Sequence, residues 1–339
     1  MGGTTEAYRW AVSLVKKEAA FGTQVPDADL TKWIEVKEAE FAKIEKQRRT
    51  NQQYVNGVRG YTNYQVHTKK GMIRRKFDLS TEIFSWLLHL QLGNLTTTGS
   101  ADPYSHMDKH PPICNLYPAS FSLIEGIVCS GLTGTQKLYK GAVVNKQEIT
   151  INSKLEIDHT VELLTDGSET AKTSFSFPTT PEAVSYLLGG MVTLKLNAYD
   201  AGSDTDVSSQ LQQLKISINS NLEPTKAVTN GVLVPRYKFK KDSPKMDIEA
   251  TFSADKSDAI YGYYENETRL RLQMLIDPAL TPLRTVNLDV PECFIDTCEQ
   301  GADDIEPTLK LKIEGLDVIA NTGPAIWVTK TGVAAYLTT

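Results

Sequence analysis

The chain has 339 residues, 40% of them hydrophobic and 23% charged, and a net charge of −5. That composition suits a globular protein with ample material for a buried core, in one large or two ordinary domains. No apolar run approaches the ~20 residues of a membrane-spanning helix, and four cysteines (Cys114, Cys129, Cys293, Cys298) are too sparse for a disulfide framework, so both of those classes are excluded.

The opening stretch lacks the charged start and apolar middle of a secretory signal, and Glu6 stands where a myristoylation motif needs Ser or Thr. Synthesis in a cytoplasm, with reduced and packed thiols, is the expectation. Residues 8–14 alternate Tyr8, Trp10, Val12 and Leu14 against Arg9, Ala11 and Ser13, which predicts a half-buried strand. A turn-rich stretch leads to the apolar run WIEV. Residues 37–50 read as a basic-ended helix or an arm, and the polar, Gly-containing run after them as part of a long loop, 37–70.

A strand over 72–79 feeds the clearest helix in the chain. Ser80 and Thr81 offer N-cap oxygens, Ile83, Trp86, Leu87 and Leu90 fall at i, i+3, i+4 and i+7, and Gly93 stops it. Residues 94–112 read as a loop, and strands fill most of 117–164. A second short helix is expected at 181–188, with Pro181 in its first turn. Further strands follow, then a second strand–helix unit from about Pro244, then strands to about Asp317. Cys293 and Cys298, five apart in a strand-like run, are expected on opposite faces of a sheet. The last residues carry Ile326, Trp327, Val328 and Tyr336, too apolar for a free tail.

The chain therefore says one thing twice: strand, short helix, then three strands, with Ile73 and Phe77 in register with Ile248 and Phe252. The expected domains are 1–180, including the loop 37–70, and 181–339, including the C-terminal tail. Charge is uneven. From Glu38 to Lys76 ten basic residues stand against three glutamates, a net +7, which leaves −12 for the remainder. Such a segment suits nucleic acid or another copy of the same acidic body.

Motifs for chemistry are scarce. There is no Gly-rich phosphate loop, no GxSxG elbow and no HExxH, and His67, His89 and His159 have no sequence-near nucleophile or paired carboxylate. His106, His110 and Cys114 have a metal-like spacing, but Pro111-Pro112 breaks any helix that would gather them. Carboxylates do form a pattern. Glu156, Asp158 and Glu162 occupy one strand face, with His159 interrupting the apolar face opposite, and Asp247 and Glu249 alternate with Met246, Ile248 and Ala250. These rows are either a solvated sheet face or the wall of a pore that repels a polyanion, although Lys310 and Lys312 dilute the acidity in the second copy.

The N-terminal strand running into EAAFGT and DLTKWI, the joint KFDLSTEIFSWLLHLQLG, the passage DPYSHMDKHPPICNLYPASFSLIEG, the block LYKGAVVNKQEITINSK with LEIDHTVEL, and the near-terminal ANTG together resemble siphophage-type tail tube proteins (major tail proteins). The resemblance implies a mainly β fold: two tandem tail-tube-like β-sandwich, barrel-forming units, each with a flanking short α-helix. It implies a virion tail protein, assembled in a host cytoplasm, whose rings stack into a tube for the tape measure protein and the genome DNA. Its partners would be copies of itself, the tape measure protein, and the tail-tip and terminator proteins, with no membrane, cofactor, metal or catalytic residue. Single-copy members form six-subunit rings, so a duplicated chain would need three. Glu156, Asp158, Glu162, Asp247 and Glu249 are then candidates for the lumen. Lys43, Lys46, Arg48, Arg49, Arg59, Lys69, Lys70, Arg74, Arg75 and Trp327 are candidates for contacts between subunits or rings. The alternative is a nucleic-acid-binding β-protein that uses the basic segment 43–76, with Tyr54, Tyr61 and Tyr64 for stacking.

Overall fold

Period-two alternation runs through most of the chain, and in the computed structural model the protein is accordingly almost all strand. The described residues are 7–12, 16–30, 32–39, 43–55, 58–109, 118–129, 132–152, 156–173, 175–177, 186–188, 191–199, 201, 205–229, 232–239, 245–255, 258–278, 283–303, 306–316 and 325–332.

The first unit holds β1 (Ala7–Val12), β2 (Lys32–Glu35), β3 (Glu38–Ala39), β4 (Lys43–Val55), β5 (Val58–Asp78), helix α1 (Thr81–Leu92), β6 (Asn94–Thr98), β7 (Tyr104–Lys109), β8 (Phe121–Cys129), β9 (Leu132–Ile151), β10 (Ile157–Thr165) and β11 (Thr170–Lys172). The second holds β12 (Val192–Ala198), β13 (Leu211–Asn219), β14 (Leu222–Thr229), β15 (Val232–Phe239), β16 (Lys245–Ser253), α2 (Ala259–Glu265), β17 (Leu270–Ile276), β18 (Thr285–Asp303), β19 (Glu306–Gly315) and β20 (Ile326–Thr331).

The duplication is visible in the ladders. In the first unit β1 pairs β8, β8 pairs β9, β9 pairs β10, β10 pairs β5, and β3 pairs β5. In the second, β12 pairs β17, β17 pairs β18, β18 pairs β19, β19 pairs β16, and β13 pairs β16. A hairpin leads to the helix in each: in the first unit β5 is both its second strand and the helix-bearing one, and in the second β14–β15 precedes β16. A late strand flanks the long one in each, β11 on β9 and β20 on β18.

Even the irregularities repeat. Leu163 faces Val144 while Glu162 faces Lys146, so Asn145 is an extra residue; Ile313 faces Ile295 while Lys312 faces Thr297, so Asp296 is its counterpart. Such bulges bend a strand, and here β9 and β18 each pass from an outer ladder into a shared central one. The predicted register holds across this frame: Phe77 faces His159, which faces Ile149, as Phe252 faces Leu309, which faces Gln300.

Within each unit the outer and central ladders enclose a core. Trp10, Phe121, Leu123 and Tyr139 pack against Ile73, Phe77, Val161 and Leu163 in the first. A larger core fills the second and takes in Leu79, Phe84, Leu88, Leu92, Ile149 and Ile151 from the first, so the two units share one interior. The ladder does not close on itself.

Helix α1 joins them. Ser80 Oγ accepts from the Ile83 N–H at 3.4 Å, and Gly93 ends the helix at φ 73°, as its sequence predicts. Yet α1 is buried on every side except at His89. Ile83, Trp86, Leu87 and Leu90 face the first core while Phe84, Leu88 and Leu92 face the second, so two opposed stripes replace the single one expected. Each large apolar side chain so buried contributes roughly 1.5–3 kcal/mol.

Four expectations are corrected. Residues 37–70 are not a loop, helix or arm where described: β3, β4 and β5 run through them as strands. Residues 94–112 contain the hairpin β6–β7. Tyr186 makes a lone bridge to Ser80 and residues 186–188 are not helical; the rest of the helix expected at 181–188 lies outside the described residues. Cys293 and Cys298 share the core side, because the bulge at Asp296 shifts the alternation by one.

Candidate functional site

Eight strands form the central sheet, in the order β3, β5, β10, β9, β13, β16, β19, β18. Odd-numbered positions of β5 from Gly71 onward and of β10 point into the core, so the even-numbered ones form the opposite face. On that face stand Asp158, Glu162, Asp247 and Glu249, with Glu156 exposed at the strand entry. The structure thus brings together all five carboxylates predicted to share a wall.

It does not leave that wall purely acidic. Lys37 reaches Asp158 at 3.0 Å and Asp78 at 3.2 Å, and Lys76 reaches Asp158 at 3.1 Å. The hydrogen bond to Asp158 dominates in holding both ammonium groups above the ordinary lysine range, against a smaller opposing effect of burial. Lys146 and Lys215 reach Glu148 at 3.0 and 3.5 Å. Burial pushes the Glu148 carboxyl up, but the hydrogen bond and charge of Lys146, with the charge of Lys215, outweigh it and leave the carboxyl below its usual range. Lys312 joins Asp296 and Glu314 at 3.2 and 3.1 Å. The face thus mixes ion pairs with like-charge neighbours, since Asp247 stands directly opposite Glu314. Glu148, Lys146 and Lys215 were legible in the alternation of NKQEITI and LKISIN, but pairing across strands far apart in sequence was not.

The basic candidates divide. Lys43 and Arg74 are exposed. Lys46, Arg48, Arg49, Arg59, Lys69 and Lys70 lie along the β4–β5 hairpin, and their side chains are outside the described residues. Arg75 is no interface residue: it is fully buried and ion-paired to Glu125 of β8, between the two layers of the first unit. Trp327 is likewise removed from any subunit contact. It is fully buried, its ring edge-on to Phe84 with centroids 5.2 Å apart. The tail docks on its own chain because β20 is a strand, pairing β18 on one edge and β7 on the other.

The joint between units is a second feature that the sequence did not announce. β13 continues the central sheet from β9, with Ile216 facing Ile149 and Ser217 facing Glu148. A buried polar chain crosses it. Gln91 of α1 donates to Ser220 Oγ at 2.9 Å and to the Ile218 carbonyl at 3.1 Å. Gln147 Nε2 donates to Gln91 Oε1 at 2.7 Å, and Gln147 Oε1 lies 2.9 Å from His159 Nε2. Complete burial pushes the His159 imidazole down to about 3, so the ring is neutral and donates to Gln147. His159, read in the sequence as an interruption of an apolar face, was the one signal of this chain.

His106 is buried between Thr97 and Thr331, 2.9 Å from each hydroxyl, while His110 and Cys114 lie outside the described residues. Among the described residues no group of three or more His, Cys, Asp or Glu is placed to hold a metal ion, and no helix is long and apolar enough to cross a membrane. Comparison with models of known protein families and with curated proteins finds no match.

Proposed function

We propose that this chain is the structural subunit of a phage-type tail tube, which closes with copies of itself into rings that stack into a conduit. One observation carries the reading: two equivalent units continue a single sheet across their joint, and among the described residues that sheet is left open at both ends. A repeated unit that already pairs edge to edge with its own kind is suited to go on doing so. Closing the sheet between copies removes exposed strand edges, which otherwise invite aggregation.

With eight central strands per copy, three copies give twenty-four strands. At ~4.8 Å between strands and a tilt of ~40°, the closed sheet measures about 48 Å across its backbone. This face suits the inner wall, because ammonium groups already held by carboxylates displace few counterions from a passing polyanion, and the remaining carboxylates repel it. The tape measure protein and DNA would pass through, and tail-tip and terminator proteins would cap the ends. The nucleic-acid-binding alternative loses ground, since Arg75 is buried on Glu125 and Lys76 is held by Asp158 and Glu38.

End-on electron microscopy of the concentrated protein tests this. Tubes with a central hole and three copies per ring are expected. Six copies per ring would overturn the part played by the repeat. Monomers that stay monomers even with an added tail-tip nucleus would overturn the assembly reading.

A further inference from the structure

The internal joint is a template for a contact that the chain makes elsewhere. Beyond the bulge, β9 has β10 on one edge and β13 on the other. Its counterpart β18, over residues 297–303, has β19 on one edge and, among the described residues, no ladder on the other. Burial follows the pairing. Gln147 and Ile149 are buried where β13 covers them, while their counterparts Cys298 and Gln300 are half-buried and exposed; on the other face Lys146, Glu148 and Thr150 are half-buried, while Thr297, Glu299 and Gly301 are exposed. At the far end of the sheet, β3 and the start of β4 pair only β5 among the described residues, with Lys43 and Glu45 exposed. One copy carries both halves of the joint, unsatisfied, at opposite ends.

Resting on the assembly reading above, we propose that a second copy of this chain adds the β3–β4 edge of its first unit to the β18 edge of the first copy, antiparallel, in a register that places Lys43 directly opposite Glu299. The register follows from the duplication. Lys43 faces Met72, the residue before Ile73; the residue before Ile248 is Asp247, which faces Ser217. Ser217 faces Glu148, the residue before Ile149, and the residue before its counterpart Gln300 is Glu299. Where the inner joint sets serine beside glutamate, the outer one sets an ammonium opposite a carboxylate, a favourable cross-strand pair.

The two joints differ in a second way. Asn145, Gln147 and His159, which help to tie the inner joint to α1 and β13, have Asp296, Cys298 and Leu309 as counterparts. The outer joint therefore has no equivalent of the buried amide chain, and the inner joint also has β20 on β7 and the contact of β15 with β5 at Thr68. The outer contact is the weaker, so copies separate before units do.

Carbodiimide coupling of the unmodified protein tests the register without a variant. In assembled material, peptide mapping is expected to find Lys43 joined to Glu299, absent from dilute monomer. A Lys43→Cys/Glu299→Cys variant in a Cys298→Ser background is expected to give oxidised trimers on a non-reducing gel, whereas Lys43→Cys/Gly301→Cys is not. Rings or tubes without a Lys43–Glu299 link, or trimers only from the shifted pair, would overturn the register and leave the assembly reading standing. Failure of the unmodified protein to assemble at all would overturn both.

Discussion

His159 provides a sharp test of the joint between units. Its ring lies among Phe77, Phe84 and Gln147, with no salt-bridge partner among the described residues, and burial lowers its pKa from 6.5 to about 3. A folded value below the unfolded one means that the unfolded chain takes the proton first. The stability that His159 brings is complete above pH ~6.5 and is lost as pH falls towards 3, at about 1.36 kcal/mol per unit. Between pH 7 and pH 5 the loss amounts to about 2 kcal/mol. The informative variant is His159→Leu, which copies Leu309 from the equivalent place in the second unit. It costs stability at pH 7, because Gln147 loses a donor, but it removes this titration. Urea unfolding of dilute monomer at pH 7 and pH 5 gives both numbers. Carboxylates such as Glu148 titrate alike in both proteins and cancel in the difference. Equal pH dependence for wild type and His159→Leu, within a few tenths of a kcal/mol, would refute the neutral buried imidazole.

Two further outcomes are expected. Arg75→Met leaves Glu125 buried without its cation and costs about 3–5 kcal/mol in urea unfolding, whereas Arg75→Met combined with Glu125→Leu recovers most of that loss. Gly93→Ala costs about 1 kcal/mol by thermal melting, because φ 73° disfavours a Cβ although the space around it is open.

The order of elements was legible because period-two alternation and one capped helix survive in single sequences, and the topology turns that order into matching ladders. The β4–β5 hairpin was missed because its strands carry polar residues at both parities, so alternation had nothing to alternate. Arg75 was misplaced because its partner, Glu125, stands fifty residues away on another strand. Cys298 was assigned to the wrong side because a bulge leaves no mark in residue type. Trp327 was read as a residue that must dock but was assigned to a neighbouring subunit; only the fold could say that its own chain supplies the dock. The carboxylate face was found, and Lys312 beside it, but the pairing of Lys37, Lys76, Lys146 and Lys215 with its carboxylates was not, since the strands involved meet only in three dimensions.

β20 closes a gap that β7 opens early in the chain, and His106 and Thr331, 225 residues apart in sequence, meet across it. On a ribosome adding ~5–20 residues per second, β7 therefore waits about 10–45 s for β20 to be made. Contacts of such long range put folding at the slow end of the range for domains of this kind. Synthesis of β20 is thus the event that completes this side of the interior, and a truncation before Ile326 would take Trp327 from Phe84 and Thr329 from Ser85.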